Sequence, residues 1–162
     1  MSQLWNGVTA GAVGTTALNI ATYLDMVVRG RPPSEVPEKA VEKFGDKVGV
    51  PVAPKEGQPE EVRNTLQNRQ SGLGALTGFA AGLGIGAVYG LLRPRFASVS
   101  VPVASVGLGL GAMASSDIPL VASGLTDPRK WGTSGWASDL IPHIAYGVCT
   151  ALTFEALTDG RR

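Results

Sequence analysis

Cysteine is almost absent from this 162-residue chain, where Cys149 stands alone. A single thiol excludes an internal disulfide and any zinc motif built on several cysteines. Histidine is equally scarce, with one residue, His143. Charged residues make up 17%, against about 25% in an ordinary soluble protein. The formal net charge of +1 leaves no basic footprint, so no nucleic-acid partner is expected. Catalytic signatures are missing as well. There is no HExxH pair, no phosphate-binding Walker loop and no dinucleotide fingerprint following a strand. No Ser–His–Asp arrangement with a nucleophile elbow is visible. The chain is therefore expected not to be an enzyme and to carry no cofactor.

The scarce charges are bunched. Residues 1–24, 70–92 and 96–116 carry none, whereas 29–69 holds eight of the fourteen Lys and Arg residues. The mean hydropathy of +0.14 averages over these two kinds of segment. A bilayer core of about 30 Å needs roughly 20 mostly apolar helical residues. Four segments qualify, at about 4–28, 72–92, 98–123 and 133–157. The first lacks the basic start of a signal peptide and is read as a retained span. Trp5, Trp131 and Trp136 fall near span ends, where an amphipathic ring prefers the interface. The expected fold is all-α, a single membrane domain over 1–162 built as a four-span transmembrane helical bundle. The expected location is a plasma (inner) membrane, with several passes.

Glycine supports that reading. Gly74, Gly78, Gly82, Gly86 and Gly90 recur every fourth residue. Each would cost an aqueous helix roughly 1 kcal/mol relative to Ala. In a membrane helix the same bare stripe lets another backbone approach closely. Smaller versions occur in the first segment (Gly7, Gly11, Thr15), the third (Gly107, Gly111, Ser115) and the fourth (Gly135, Gly147, Ala151). These stripes fit tight packing inside one bundle. They equally fit contact between the second span and another protomer or subunit.

An even number of spans puts both termini on one side, here the terminal side, with the 93–95 turn. The loop side carries 29–71 and 124–132. Lys plus Arg number 4 on the terminal side and 10 on the loop side. The positive-inside rule then favours a cytoplasmic loop side. Acids in the long loop and arginines hard against the terminal-side span ends leave the orientation open. Within 29–71, Arg31-Pro32-Pro33 stops the first helix and Ser34 can cap a second, with Pro37 in its first turn. Val36, Ala40, Val41, Phe44 and Val48 fall near one face of that short amphipathic helix. Residues 49–59 read as loop. Pro59-Glu60-Glu61 then starts a helix that can run straight into the second span.

Polar groups inside spans need a partner or a task. Asp25, Asp117, Asp139 and His143 all lie toward the loop side, on three different helices. Asp139 and His143 are four apart and share a helix face. Pro142 between them frees a backbone carbonyl one turn back, that of Ser138. The carboxylates can cap helix ends and pair with Arg29, Arg69, Arg129 or Lys130. They can instead form a proton or ion site with the imidazole. A metal site of mixed Asp and His ligands, suited to Zn or Mn, is the third possibility. Asn6 and Asn19 are expected to hydrogen-bond between helices, and Glu155 to reach water or Arg161. Cys149 reads as a small packing residue.

One stretch adds a family resemblance. It comprises Pro119-Leu120, Gly124-Leu125-Thr126-Asp127-Pro128, Trp136 and Asp139-Leu140-Ile141-Pro142-His143, with Arg31-Pro32-Pro33-Ser34 after the first span. It resembles the YagU-like family of small inner-membrane proteins over about a quarter of the chain. The resemblance implies a multipass inner-membrane protein with no established enzymatic activity and an N-in arrangement. It bears on Asp139 and His143 alone among the candidate residues.

Two function classes follow. One is an accessory or structural protein, packing through its glycine faces into a homo-oligomer or a larger membrane complex. The other is a homo-oligomeric channel or small transporter with the Asp/His group as its polar mouth. The expected partners are the lipid bilayer and further copies of the chain or other membrane subunits.

Overall fold

Proline and glycine set the helix boundaries. The computed structural model describes residues 2–50 and 52–159. They form α1 (Gln3–Arg29), α2 (Val36–Val48), α3 (Glu60–Leu92), α4 (Val101–Ala122) and α5 (Gly132–Asp159). Short 3-10 turns at Arg93–Phe96 and Pro128–Lys130 link α3 to α4 and α4 to α5. No strand occurs among the described residues. Gly30 ends α1 at a φ of 62°, a backbone conformation that costs glycine nothing. Pro37 sits in the first turn of α2, as the sequence predicts, but the N-cap is Glu35 rather than Ser34, whose Oγ accepts from the Val36 N–H at 3.3 Å just ahead of the helix. On the same surface turn, Lys39 lies 2.9 Å from Glu35 and holds that carboxyl below its usual range.

Helix α3 begins after Pro59 and runs unbroken for 33 residues. At 1.5 Å per residue it is about 50 Å long. That exceeds the roughly 30 Å hydrocarbon layer, so its first turns stand outside any bilayer the rest crosses. Three helical stretches are long and apolar enough to cross a membrane: Glu60–Phe96, Val101–Ala122 and Gly132–Thr158. The expected first span, α1, has the length at 27 residues but lacks that apolarity.

The packing explains the difference. Helix α1 lies between α3 and α5 and is antiparallel to both. Its small and polar residues Asn6, Gly7, Ala10, Gly11, Gly14 and Thr15 are the buried ones. Its large apolar residues, including Trp5, Ile20, Leu24 and Val27, face outward. Helix α5 contributes Tyr146, Thr150, Ala151 and Phe154 to the same core. Helix α4 packs on α5 and barely meets α3. The architecture is a three-helix core with α4 laid against one side, rather than a closed four-helix ring.

Of the five glycines in the α3 series, Gly82, Gly86 and Gly90 meet α1. A Cβ on Gly86 would lie 2.5 Å from Gly11 Cα, and one on Gly90 2.8 Å from Gly7 Cα. Gly74 instead faces Pro37 of α2, where a Cβ would stand 3.2 Å from the Pro37 Cβ. Gly78 has nothing within 4 Å. Four-residue spacing advances about 40° per step around a helix of 3.6 residues per turn, so the stripe winds from α2 past an open sector to α1. In α4 the packed face is Ser105, Gly109 and Ala112, not the expected Gly107, Gly111 and Ser115. Gly109 meets Gly147 and the His143 carbonyl of α5, while Gly107 and Gly111 have nothing within 4 Å.

Candidate functional site

The loop-side ends of α1, α4 and α5 hold the polar residues singled out from the sequence. Asp139 and His143 occupy successive turns of α5, with buried Pro142 between them. His143 Nδ1 lies 2.8 Å from the Asp139 carbonyl oxygen and 3.3 Å from its Oδ1. The carbonyl can only accept, so Nδ1 carries the proton in that contact and Nε2 faces away from it. Asp139 Oδ2 is buried without a hydrogen-bond partner among the described residues. Asp117 of α4 adds a second carboxyl beside Asp139 and His143. Three of the four expected groups therefore come together across the α4–α5 seam.

Asp25 is set apart from them. Its carboxylate pairs with Arg29 and Arg31 at 2.5 Å each. It also accepts from Ser138 Oγ of α5 at 3.2 Å. Arg29 in turn donates to the hydroxyls of Ser134 and Ser138. Asp25 is thus a structural cross-link between α1 and α5, with its charge matched locally. The expected partner Arg29 does pair with Asp25, and Ser138, the residue before Asp139, ties this cluster to α5.

Chemically, the α4–α5 group offers two carboxyls and an imidazole at the mouth of a helix seam. Such a set can exchange a proton or contact a cation. Among the described residues no group of three or more His, Cys, Asp or Glu has the arrangement to hold a metal ion. The free thiol of Cys149 is half-buried farther along α5.

At the terminal side the structure adds a pair that sequence reasoning missed. Arg93 Nε donates to Glu155 Oε1 at 2.7 Å, joining α5 to the end of α3. The expected Arg161 partner lies outside the described residues. The signal was legible: two opposite charges, each at the end of an uncharged run, on the same side of the bundle. Tyr146 is the other unforeseen link, donating its buried hydroxyl to the Gly82 carbonyl at 2.7 Å. Asn6 is buried, but its Oδ1 has no partner, so it does not serve as the expected interhelical link through that atom. Trp131 donates to Thr126 Oγ1 at 2.9 Å and stacks edge-on against Trp136, 5.2 Å away, at the loop-side boundary. Comparisons with family models, with curated proteins and with solved structures each return no match.

Proposed function

We propose that this chain is a four-span integral protein of a plasma-type (inner) membrane, acting as an accessory or structural subunit that docks through α4. The fourth span is α1. It runs alongside two helices apolar enough to cross a bilayer and meets them from Gly7 to Asp25, so it shares their depth. Its buried face of small and polar residues packs against helices rather than lipid, which relieves it of the need to be apolar all round. The YagU-like resemblance points to the same class of multipass protein.

One observation carries the docking reading. Helix α4 has a single close neighbour, and its Gly107–Gly111 face lies open with nothing within 4 Å. Gly7, Gly11 and Gly14 of α1 and Gly82, Gly86 and Gly90 of α3 are already occupied inside the molecule. A bare stripe on a helix with one neighbour is where a further helix gains close van der Waals contact. The test is the mass and composition of the particle extracted in mild detergent, by light scattering and mass spectrometry. A particle of several copies, or one with stoichiometric foreign subunits, is expected. Gly107→Leu with Gly111→Leu should reduce it to the single chain, while Gly78→Leu leaves it intact. A monomeric wild-type particle, or assembly that survives the α4 substitutions, rules the reading out.

A second reading rests on the buried, unpartnered Asp139 Oδ2 beside His143 and Asp117. It makes the α4–α5 mouth a proton or cation site in a homo-oligomeric channel or small transporter.

A further inference from the structure

Helix α3 reaches the loop-side boundary with one face uncovered by other helices. Leu66, Arg69, Leu73 and Leu76 recur at three- and four-residue spacing and share that face. Helix α2 meets α3 elsewhere, through Pro37 at Gly74 and through the Glu38 carbonyl, which accepts from Gln70 Nε2 at 2.9 Å. Helix α1 meets it farther along, at Gly82, Gly86 and Gly90. The chain after α2 returns alongside the open face. Val50 N–H donates to the Gly45 carbonyl at 2.9 Å, and Val52 packs over the bare Gly45. Between α3 and this returning segment lies an open groove of about 470 Å³, lined by Val50, Val52, Leu66, Arg69, Leu73 and Leu76. Its walls are aliphatic apart from one cation.

The charge pattern gives the groove its depth. Arg69 is the last charged residue before the uncharged run 70–92. It therefore stands at headgroup level, with Leu73 and Leu76 one and two turns into the acyl region. Arg69 is exposed and makes no ion pair with a described residue. An aliphatic cleft at that depth adjoins acyl chains, and the guanidinium in its lining, between Leu66 and Leu73, matches a phosphate in charge and fork geometry. We infer that this groove seats one anionic phospholipid, its acyl chain along Leu73 and Leu76 and its phosphate on Arg69. The inference rests on the membrane reading proposed above.

The test uses the full chain reconstituted in vesicles of equal phosphatidylglycerol and phosphatidylcholine, then released into mild detergent for native mass spectrometry. One phosphatidylglycerol per chain should remain bound in preference to phosphatidylcholine. Arg69→Gln should lower that retention about fivefold, the effect of roughly one juxtamembrane cation. Leu76→Trp, which fills the groove, should abolish retention of either lipid, and circular dichroism melts check that both variants fold. Equal retention of the two lipids, or no change in Arg69→Gln, overturns the inference. So does a dimer that Leu76→Trp dissolves, because a second copy then occupies the groove. Alkaline carbonate extraction of native membranes separates the two levels. A chain that washes off refutes the membrane reading and the lipid site together, whereas a resistant but unselective chain refutes the lipid site alone.

Discussion

Replacing Gly86 by alanine puts a methyl group where α1 and α3 leave no room for one. The new Cβ would lie 2.5 Å from Gly11 Cα and 2.5 Å from the Gly7 carbonyl oxygen. Carbon contacts are comfortable at about 3.5–4.0 Å, so the helices must part by roughly 1 Å. Helix α1 cannot simply retreat, because Gly14 on its other side is packed against Tyr146 and Thr150 of α5. Overpacking of this kind costs about 1–3 kcal/mol. The better helix propensity of alanine returns at most about 1 kcal/mol. With that full return, the expected net loss is up to about 2 kcal/mol. Gly78→Ala is the matched control, since Gly78 has nothing within 4 Å and the substitution meets no neighbour. The assay is an unfolding titration in detergent, read by labelling of the lone thiol of Cys149. Gly86→Ala should unfold at lower denaturant than the wild type, and Gly78→Ala at the same or higher. Equal behaviour of the two variants would refute the close α1–α3 contact and the winding of the glycine stripe.

Two further outcomes are expected. Arg93→Gln and Glu155→Gln should each destabilise the protein by about 2–3 kcal/mol, somewhat below the roughly 3–5 kcal/mol for breaking a fully buried pair, because the Glu155 side chain keeps 24% exposure. The double variant should lose less than the sum in the same titration, and strict additivity would mean that the pair is not coupled. If the Asp/His group conducts, liposomes holding the protein should show a flux that changes across about pH 5–8, where imidazoles titrate. That dependence should vanish in His143→Ala and weaken in Asp139→Asn, and a flat profile in a working assay would remove His143 from the mechanism.

Much of this architecture was legible in the order of residues, because helix ends and apolar runs are local properties. Arg31-Pro32-Pro33, Ser34-Glu35 and the Pro59-Glu60-Glu61 start each act within a turn or two, and α2 and α3 begin next to those signals, with Glu35 rather than Ser34 at the cap of α2. The length and apolarity of α3, α4 and α5 follow from composition alone. The alternation of the helices also places the polar residues at the loop side, and the i, i+4 pairing of Asp139 with His143 is a property of one helix. Which helix meets which is a different kind of fact. A four-residue glycine spacing states that a stripe exists, but its slow rotation means that the stripe does not face one neighbour along its whole length. Only the packed structure shows that Gly82, Gly86 and Gly90 are used by α1 and that Gly78 is open. The same holds for α4, where Gly109 packs and the equally plausible Gly107 and Gly111 do not. Helix α1 is less apolar than its neighbours because it is the central helix, a position decided by contacts with α3 and α5 that lie far away in the chain. Pairings such as Asp25 with Ser138 and Tyr146 with the Gly82 carbonyl join residues 64 to 113 positions apart. Distances of that kind are set by how helix surfaces fit, and no local pattern encodes them.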